Sequence, residues 1–208
     1  CKVIILTATA TKATQAQILQ SLNITDVHKI ENSPDKPNLM YVLTYINKDM
    51  PLEDVFSSLV EEMKVRKIET ERTLIYCQTC KQCSVLYRLF QEELEESMFY
   101  GECQPCNRMV EIFHAGTPNA VKEHITKNLA QEDGHIRLLI ATIAFGMGVD
   151  CKRVRRTVHF APKNIENFVQ EAGRAGRDGQ QSSCTLLFNG LLSANCGQDI
   201  KEFLHSDI

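Results

Sequence analysis

Apolar positions along this chain follow two alternating rhythms: short unbroken runs, and longer stretches with apolar residues three and four apart. The runs "LMYVLTYI" (39–46), "TLIYC" (73–77), "VEIFH" (110–114), "IRLLIAT" (136–142), "TVHF" (157–160) and "SCTLLFN" (183–189) predict strands. The spaced stretches "LEDVFSSLVEEMKVRKI" (52–68), "CSVLYRLFQEEL" (83–94), "PNAVKEHITKNLA" (118–130) and "NIENFVQEA" (164–172) predict amphipathic helices. Alternation of this kind, with several strands apolar throughout, implies βαβ units and a mainly parallel sheet covered on both faces. In such open α/β domains ligands sit beyond the carboxyl ends of the strands, which directs attention to the loops after Cys77, His114, Thr142 and Phe160.

Upstream, "VIILT" (3–7) predicts a buried strand, followed by a helical pattern through Leu19 and Leu22. The segment "ENSPDKPN" (31–38) carries two prolines among turn formers, and the residue before each proline is pushed out of the helical region. A linker and domain boundary are expected there. The sequence opens in mid-pattern, without an initiator methionine or a secretory signal, so an upstream part is expected to be missing.

Composition then narrows the class. The 208 residues, 43% hydrophobic and 24% charged, suit one domain or slightly more at about 150 residues per domain, and exclude disordered, collagenous and coiled-coil chains. The stretch "LLIATIAFGMGV" (138–149) is short of the ~20 residues of a membrane span. Net charge is −3, so any nucleic-acid binding must be local and not a property of bulk charge. Nine cysteines without a signal peptide favour a reducing, intracellular setting, and the odd count argues against a closed disulfide framework. The sequon "NIT" (23–25) is then a chance match.

Two stretches carry candidate chemistry. In "QEAGRAGRDG" (170–179), Gln170, Arg174 and Arg177 are spaced by four and then three, so a helix continuing through them would present both guanidiniums on one face. Paired arginines grip phosphate oxygens through forked, charge-assisted hydrogen bonds. Gly173 and Gly176 would admit a close backbone or phosphate, and Gly179 would stop the helix; glycines inside a helix cost about 1 kcal/mol each, which asks for a packing or functional reason. In "IRLLIATIAFGMGVD" (136–150), Thr142 ends a strand, Gly146 and Gly148 permit tight turns, and Asp150 supplies a carboxylate. That order suits a phosphate and a ribose hydroxyl.

Taken in order, "LTATAT" (6–11), "TLIYCQT" (73–79), "HAG" (114–116), "ATIAFGMGVD" (141–150) and "QEAGRAGRDG" (170–179) resemble motifs III and IV, the HAG segment, and motifs V and VI of RecQ-type superfamily-2 DNA helicases. DEAD-box RNA helicases share the architecture but usually begin the last motif with histidine-arginine. The resemblance implies a RecA-like fold of P-loop NTPase type, with residues 39–190 as the second lobe of a two-lobe motor. Residues 1–30 would be the tail of the first lobe, 31–38 the interlobe linker, and 191–208 an extension toward a downstream module. It implies ATP and Mg2+ held mainly by the first lobe, since no GxxxxGK[ST] is present and "EDGH" (132–135) matches the acidic motif only superficially. Arg177 would be the finger meeting the γ-phosphate, with Arg174 beside it, Gln170 orienting the pair, and Gly148 and Asp150 at the nucleotide or lobe interface. Thr79, His114, Gly116 and Thr142 would face single-stranded DNA, and Thr7 and Thr9 would couple nucleotide state to lobe movement. A 3′-to-5′ helicase, nuclear, without membrane association and inactive as this lobe alone, is the resulting expectation.

Other readings stand beside it. A noncatalytic single-strand-binding module, a DEAD/DEAH-type RNA helicase lobe or a degenerate pseudoenzyme would each carry part of the pattern. The basic run Lys152, Arg153, Arg155, Arg156 suits a DNA patch or a solvated loop equally. "CQTCKQC" (77–83) with "CQPC" (103–106) could form a four-thiolate zinc site. RecQ-type chains, however, often carry cysteine at the positions of Cys77 and Cys83 without metal, so no metal is assigned. The stretch 97–109 resembles an insertion relative to shorter members.

Overall fold

The computed structural model describes residues 3–5, 12–30, 36–47, 49–142, 150–160, 162–189 and 196–206. Six strands, β1 (Leu39–Tyr45), β2 (Arg72–Cys77), β3 (Val110–Phe113), β4 (Leu138–Thr142), β5 (Val154–Phe160) and β6 (Ser182–Phe188), form one sheet in the order β1-β6-β5-β2-β4-β3. Every pairing is parallel. The connecting helices are α2 (Leu52–Arg66), α3 (Cys80–Leu94), α4 (Asn119–Ala130) and α5 (Ile165–Ala172), with α1 (Lys12–Ser21) before the sheet and α6 (Gln198–Ser206) after it.

Strand alternation divides the core. Ile75, Cys77, Leu138, Ile140 and Phe160 turn to one face and pack on Phe56, Val60 and Met63 of α2 and on Leu86 and Phe90 of α3. Leu74, Tyr76, Leu139, Ala141 and Leu186 turn to the other, against Ile125 and Leu129 of α4, Phe168 and Ala172 of α5 and Ile200 of α6. β2 is buried at all six positions, as a central parallel strand covered on both sides must be.

Two elements start three residues earlier than the pattern, each with a cause. α3 begins at Cys80 and not Cys83, because Thr79 and Gln82 form a capping box: Thr79 Oγ1 accepts from the Gln82 amide and Gln82 Oε1 accepts from the Thr79 amide. β5 begins at Val154, three residues early, because its two arginines are neutralised sideways. Arg156 makes a forked pair with Glu62 of α2 (2.6 and 3.0 Å), and Arg155 does so with Asp178 (3.0 and 2.8 Å).

Val3–Ile5 carry no regular secondary structure, and the rest of the expected first strand, with Thr7 and Thr9, lies outside the described residues. So does most of the expected linker, 31–35; its end, Lys36 to Asn38, docks on the domain. Lys36 Nζ donates to the Gly173 carbonyl (2.7 Å), and Asn38 Nδ2 donates to the carbonyls of Gly176 and Gln180. α1 leans on α5 through a hydrogen bond from Thr14 Oγ1 to Glu166 Oε1 (3.1 Å).

Candidate functional site

The sequence-predicted site residues fall into two groups at opposite edges of the sheet. β5 rises about 3.3 Å per residue, so the groups stand roughly 20 Å apart.

At the carboxyl edge, Thr79 follows β2 and caps α3. Its hydroxyl oxygen already accepts from Gln82, but the first-turn amides of Cys80 and Lys81 precede any intrahelical carbonyl and face outward, as at helix N-termini that bind anions. After β3, His114 to Thr117 close a tight loop. Thr117 Oγ1 accepts from the His114 amide and donates to the Ile112 carbonyl, and the Gly116 amide donates to His114 Nδ1 (3.0 Å). Because Nδ1 accepts, the ring proton sits on Nε2. A Cβ at Gly116 would lie 3.2 Å from the imidazole, so the small residue lets the loop close over the ring. Thr142 ends β4 half-buried beside Cys77. Gly146 and Gly148 of the following loop lie outside the described residues.

At the amino edge lies the arginine loop. The expected helix through Gln170, Arg174 and Arg177 does not form: α5 stops at Ala172, and Gly176 takes φ +61. The physical reason is a competing set of backbone bonds. The Gly176 amide donates to Val154 of β5, its carbonyl accepts from Asn38, and a Cβ there would come within 2.4 Å of Asn38 Nδ2. The two arginines therefore do not share a face. Arg174 is buried, whereas Arg177 is exposed and donates to Asp150 Oδ1 at 2.8 Å. Gln170 stays on α5, exposed. Gly179 takes φ +79 in the turn before β6, open to solvent, and does not end a helix.

Asp150 is the hub of this edge. Lys152 Nζ at 2.7 Å and Arg177 hold its carboxyl below the usual carboxylate range, with the Lys152 bond the larger cause. Burial and then repulsion from Arg177 lower the Lys36 ammonium. Cys151 lies beneath, its thiol pushed up to about 11 by burial, within the field of both Arg174 and Arg177. Sequence spacing did not reveal the Asp150–Arg177 pair, which joins residues 27 apart. Of the basic run, Lys152, Arg155 and Arg156 are bound to carboxylates, at the edge opposite Thr79 and His114. The exposed Arg177, with the Lys36 ammonium in its field, suits phosphate oxygens.

The cysteines separate. Cys77 and Cys83 lie together in the core between β2 and α3, where their mutual hydrogen bond, then burial, keeps the Cys77 thiol protonated. Cys103 and Cys106 are exposed on the excursion closed by the Phe99–Arg108 bridge. Among the described residues no three His, Cys, Asp or Glu side chains converge on a metal-sized site, and no helix is long and apolar enough to cross a membrane.

A parallel sheet with helices on both faces, carrying a cationic loop at its amino edge and helix-start amides at its carboxyl edge, defines a RecA-like lobe. The model of the helicase conserved C-terminal domain matches residues 54–179, and the chain belongs to that family. The RecQ ATP-dependent DNA helicase of Haemophilus influenzae is 33% identical over 88% of this chain and 26% of its own length. A putative ATP-dependent RNA helicase, R290, of Acanthamoeba polyphaga mimivirus is 34% identical over 90% of this chain and 30% of its own. The chain thus spans less than a third of these relatives. Among solved structures, Saccharomyces cerevisiae Dbp5 bound to RNA and ADP BeF3 matches with TM-score 0.67 and 19% identity, covering 97% of this chain and 48% of that one, a likeness of fold.

Proposed function

We propose that this chain supplies the second motor lobe of an ATP-dependent, 3′-to-5′ DNA helicase of RecQ type. Residues 39–190 form the lobe, 31–38 the linker, 1–30 the tail of a first lobe and 191–208 the lead into a further module. The observation that carries the reading is the exposed Arg177 at the end of a loop locked by Gly176, inside a helicase C-terminal domain.

In this reading the first lobe presents ATP with its Mg2+, and Arg177 leaves the Asp150 carboxylate for the more highly charged γ-phosphate. The cationic edge fits phosphate and, among the described residues, offers no carboxylate cluster for Mg2+, whose ligands the first lobe supplies. Arg174 supports the loop from below, Gln170 orients the approach, and Gly148 and Asp150 line the cleft. Thr79, His114, Gly116 and Thr142 grip phosphate and sugar of single-stranded DNA without reading sequence. Alone the lobe holds half an active site and does not turn over ATP; its setting is nuclear.

The test is DNA-stimulated ATPase of a polypeptide carrying both lobes. Arg177→Ala is expected to lower turnover by roughly 10³-fold or more, the range for an arginine finger. Unchanged turnover would sink the assignment. The mimivirus relative favours one second reading, an RNA helicase lobe. Stimulation by single-stranded RNA and not DNA would select it.

A further inference from the structure

We infer that the buried hydrogen bond between His159 of β5 and Glu171 of α5 is a positioning clamp that sets the geometry of the arginine loop; its catalytic consequence rests on the function proposed above.

His159 Nδ1 and Glu171 Oε2 are 3.0 Å apart, with side chains 1% and 7% exposed. A carboxylate only accepts, so Nδ1 carries the proton. The imidazole stacks on Tyr76 (5.1 Å, 14°) and meets the edge of Phe168 (5.0 Å, 79°), so the ring cannot swing without breaking both contacts. An apolar pair of this volume would hold α5 to the sheet without desolvating a carboxylate, so the pair is better understood as a directional constraint than as a source of stability.

The constraint acts where the loop begins. Glu171 is one residue from the end of α5, and its carbonyl accepts from the amides of Gly173 and Arg174 (3.2 Å for the latter). One residue is therefore anchored to β5 by its side chain and carries the start of the loop on its backbone. The second anchor is the Gly176 amide on Val154, again on β5. Arg174 lies between the anchors, and Arg177 follows the second directly. Without the first anchor the end of α5 keeps its Phe168 and Ala172 contacts, which specify burial but no angle, and the Lys36 bond to the Gly173 carbonyl, which comes from a long, partly exposed side chain outside the sheet.

The test separates position from stability. His159→Phe keeps a ring against Tyr76 and deletes the donor; His159→Asn places an amide nitrogen close to the former Nδ1 and restores it. In His159→Phe, amide exchange of Arg174 to Gly176 in this chain is expected to rise about tenfold while β2 and β4 amides stay unchanged. In the two-lobe polypeptide, kcat is expected to fall about tenfold or more, with KM for ATP within about threefold. His159→Asn is expected to recover both. Exchange that stays unchanged, or rises uniformly, overturns the clamp whatever the ATPase does; local loosening with wild-type kcat overturns its catalytic role. An Arg177→Ala control with full turnover refutes the finger and leaves the exchange result to judge the clamp. Should His159→Phe fail to fold, Glu171→Met deletes the acceptor at similar volume and carries the same expectations.

Discussion

The guanidinium of Arg72 sits at the amino end of β2, 3% exposed, and donates to the carbonyls of Leu129, Gln131, Gly134 and Lys152. These carbonyls belong to the end of α4, the turn after it and the approach to β5, so one side chain joins three segments that the sheet leaves apart. Burial, then repulsion from Arg137, lowers its pKa to about 10. Arg72→Met is expected to destabilise the chain by roughly 3–5 kcal/mol, read from denaturant midpoints at constant m, because several buried carbonyls lose a charged donor together. No motif marked Arg72. It stands at the head of an apolar run, where a lone arginine reads as a solvated strand end, and its partners lie 57 to 80 residues downstream.

At the scale of elements, periodicity located every strand of the sheet and α2 to α5 within a few residues, because strands buried on both faces and amphipathic helices leave strong patterns. Ends were set by chemistry that the pattern does not weigh. Thr79 and Gln82 form a capping box, legible in the T-x-x-Q spacing, that starts α3 ahead of its apolar period. The end of α5 was not legible. Four-then-three spacing in "QEAGRAGR" suits a continuing helix, yet the loop turns at Gly176 to bond Val154 and Asn38, partners supplied by β5 and the linker end. Gly176→Ala forces a side chain into a left-handed position 2.4 Å from Asn38 Nδ2. It is expected to cost roughly 1–3 kcal/mol in thermal or denaturant unfolding. Gly179→Ala, with φ +79 and open space, meets the backbone strain alone and is expected to cost less.

At the scale of the whole molecule, pH dependence exposes a buried carboxyl that serves neither edge. Glu111 lies in edge strand β3, 3% exposed, and burial outweighs the attraction of Arg108, raising its pKa to about 7. The folded chain therefore binds this proton more tightly than the unfolded chain, and stability declines as pH rises from about 4.5 toward 7. Glu111→Gln is expected to flatten that part of the curve and to be the more stable chain at pH 8, by an amount on the order of 1–3 kcal/mol. Unfolding midpoints of both proteins at pH 5 and pH 8 check it.

The two-edged site has the same mixed origin. Sequence alone determined the parallel α/β class, the succession of elements and which short stretches carry chemistry, because those properties reside in local period, turn residues and motif order. Only the tertiary structure decided that Arg174 is buried and Arg177 exposed, that Asp150 holds Arg177, that His159 meets Glu171, and that the arginines stand at the edge opposite Thr79 and His114. Each of these depends on which strands become neighbours, and in the order β1-β6-β5-β2-β4-β3 every neighbouring pair except β5-β6 and β3-β4 joins strands that are not consecutive along the chain.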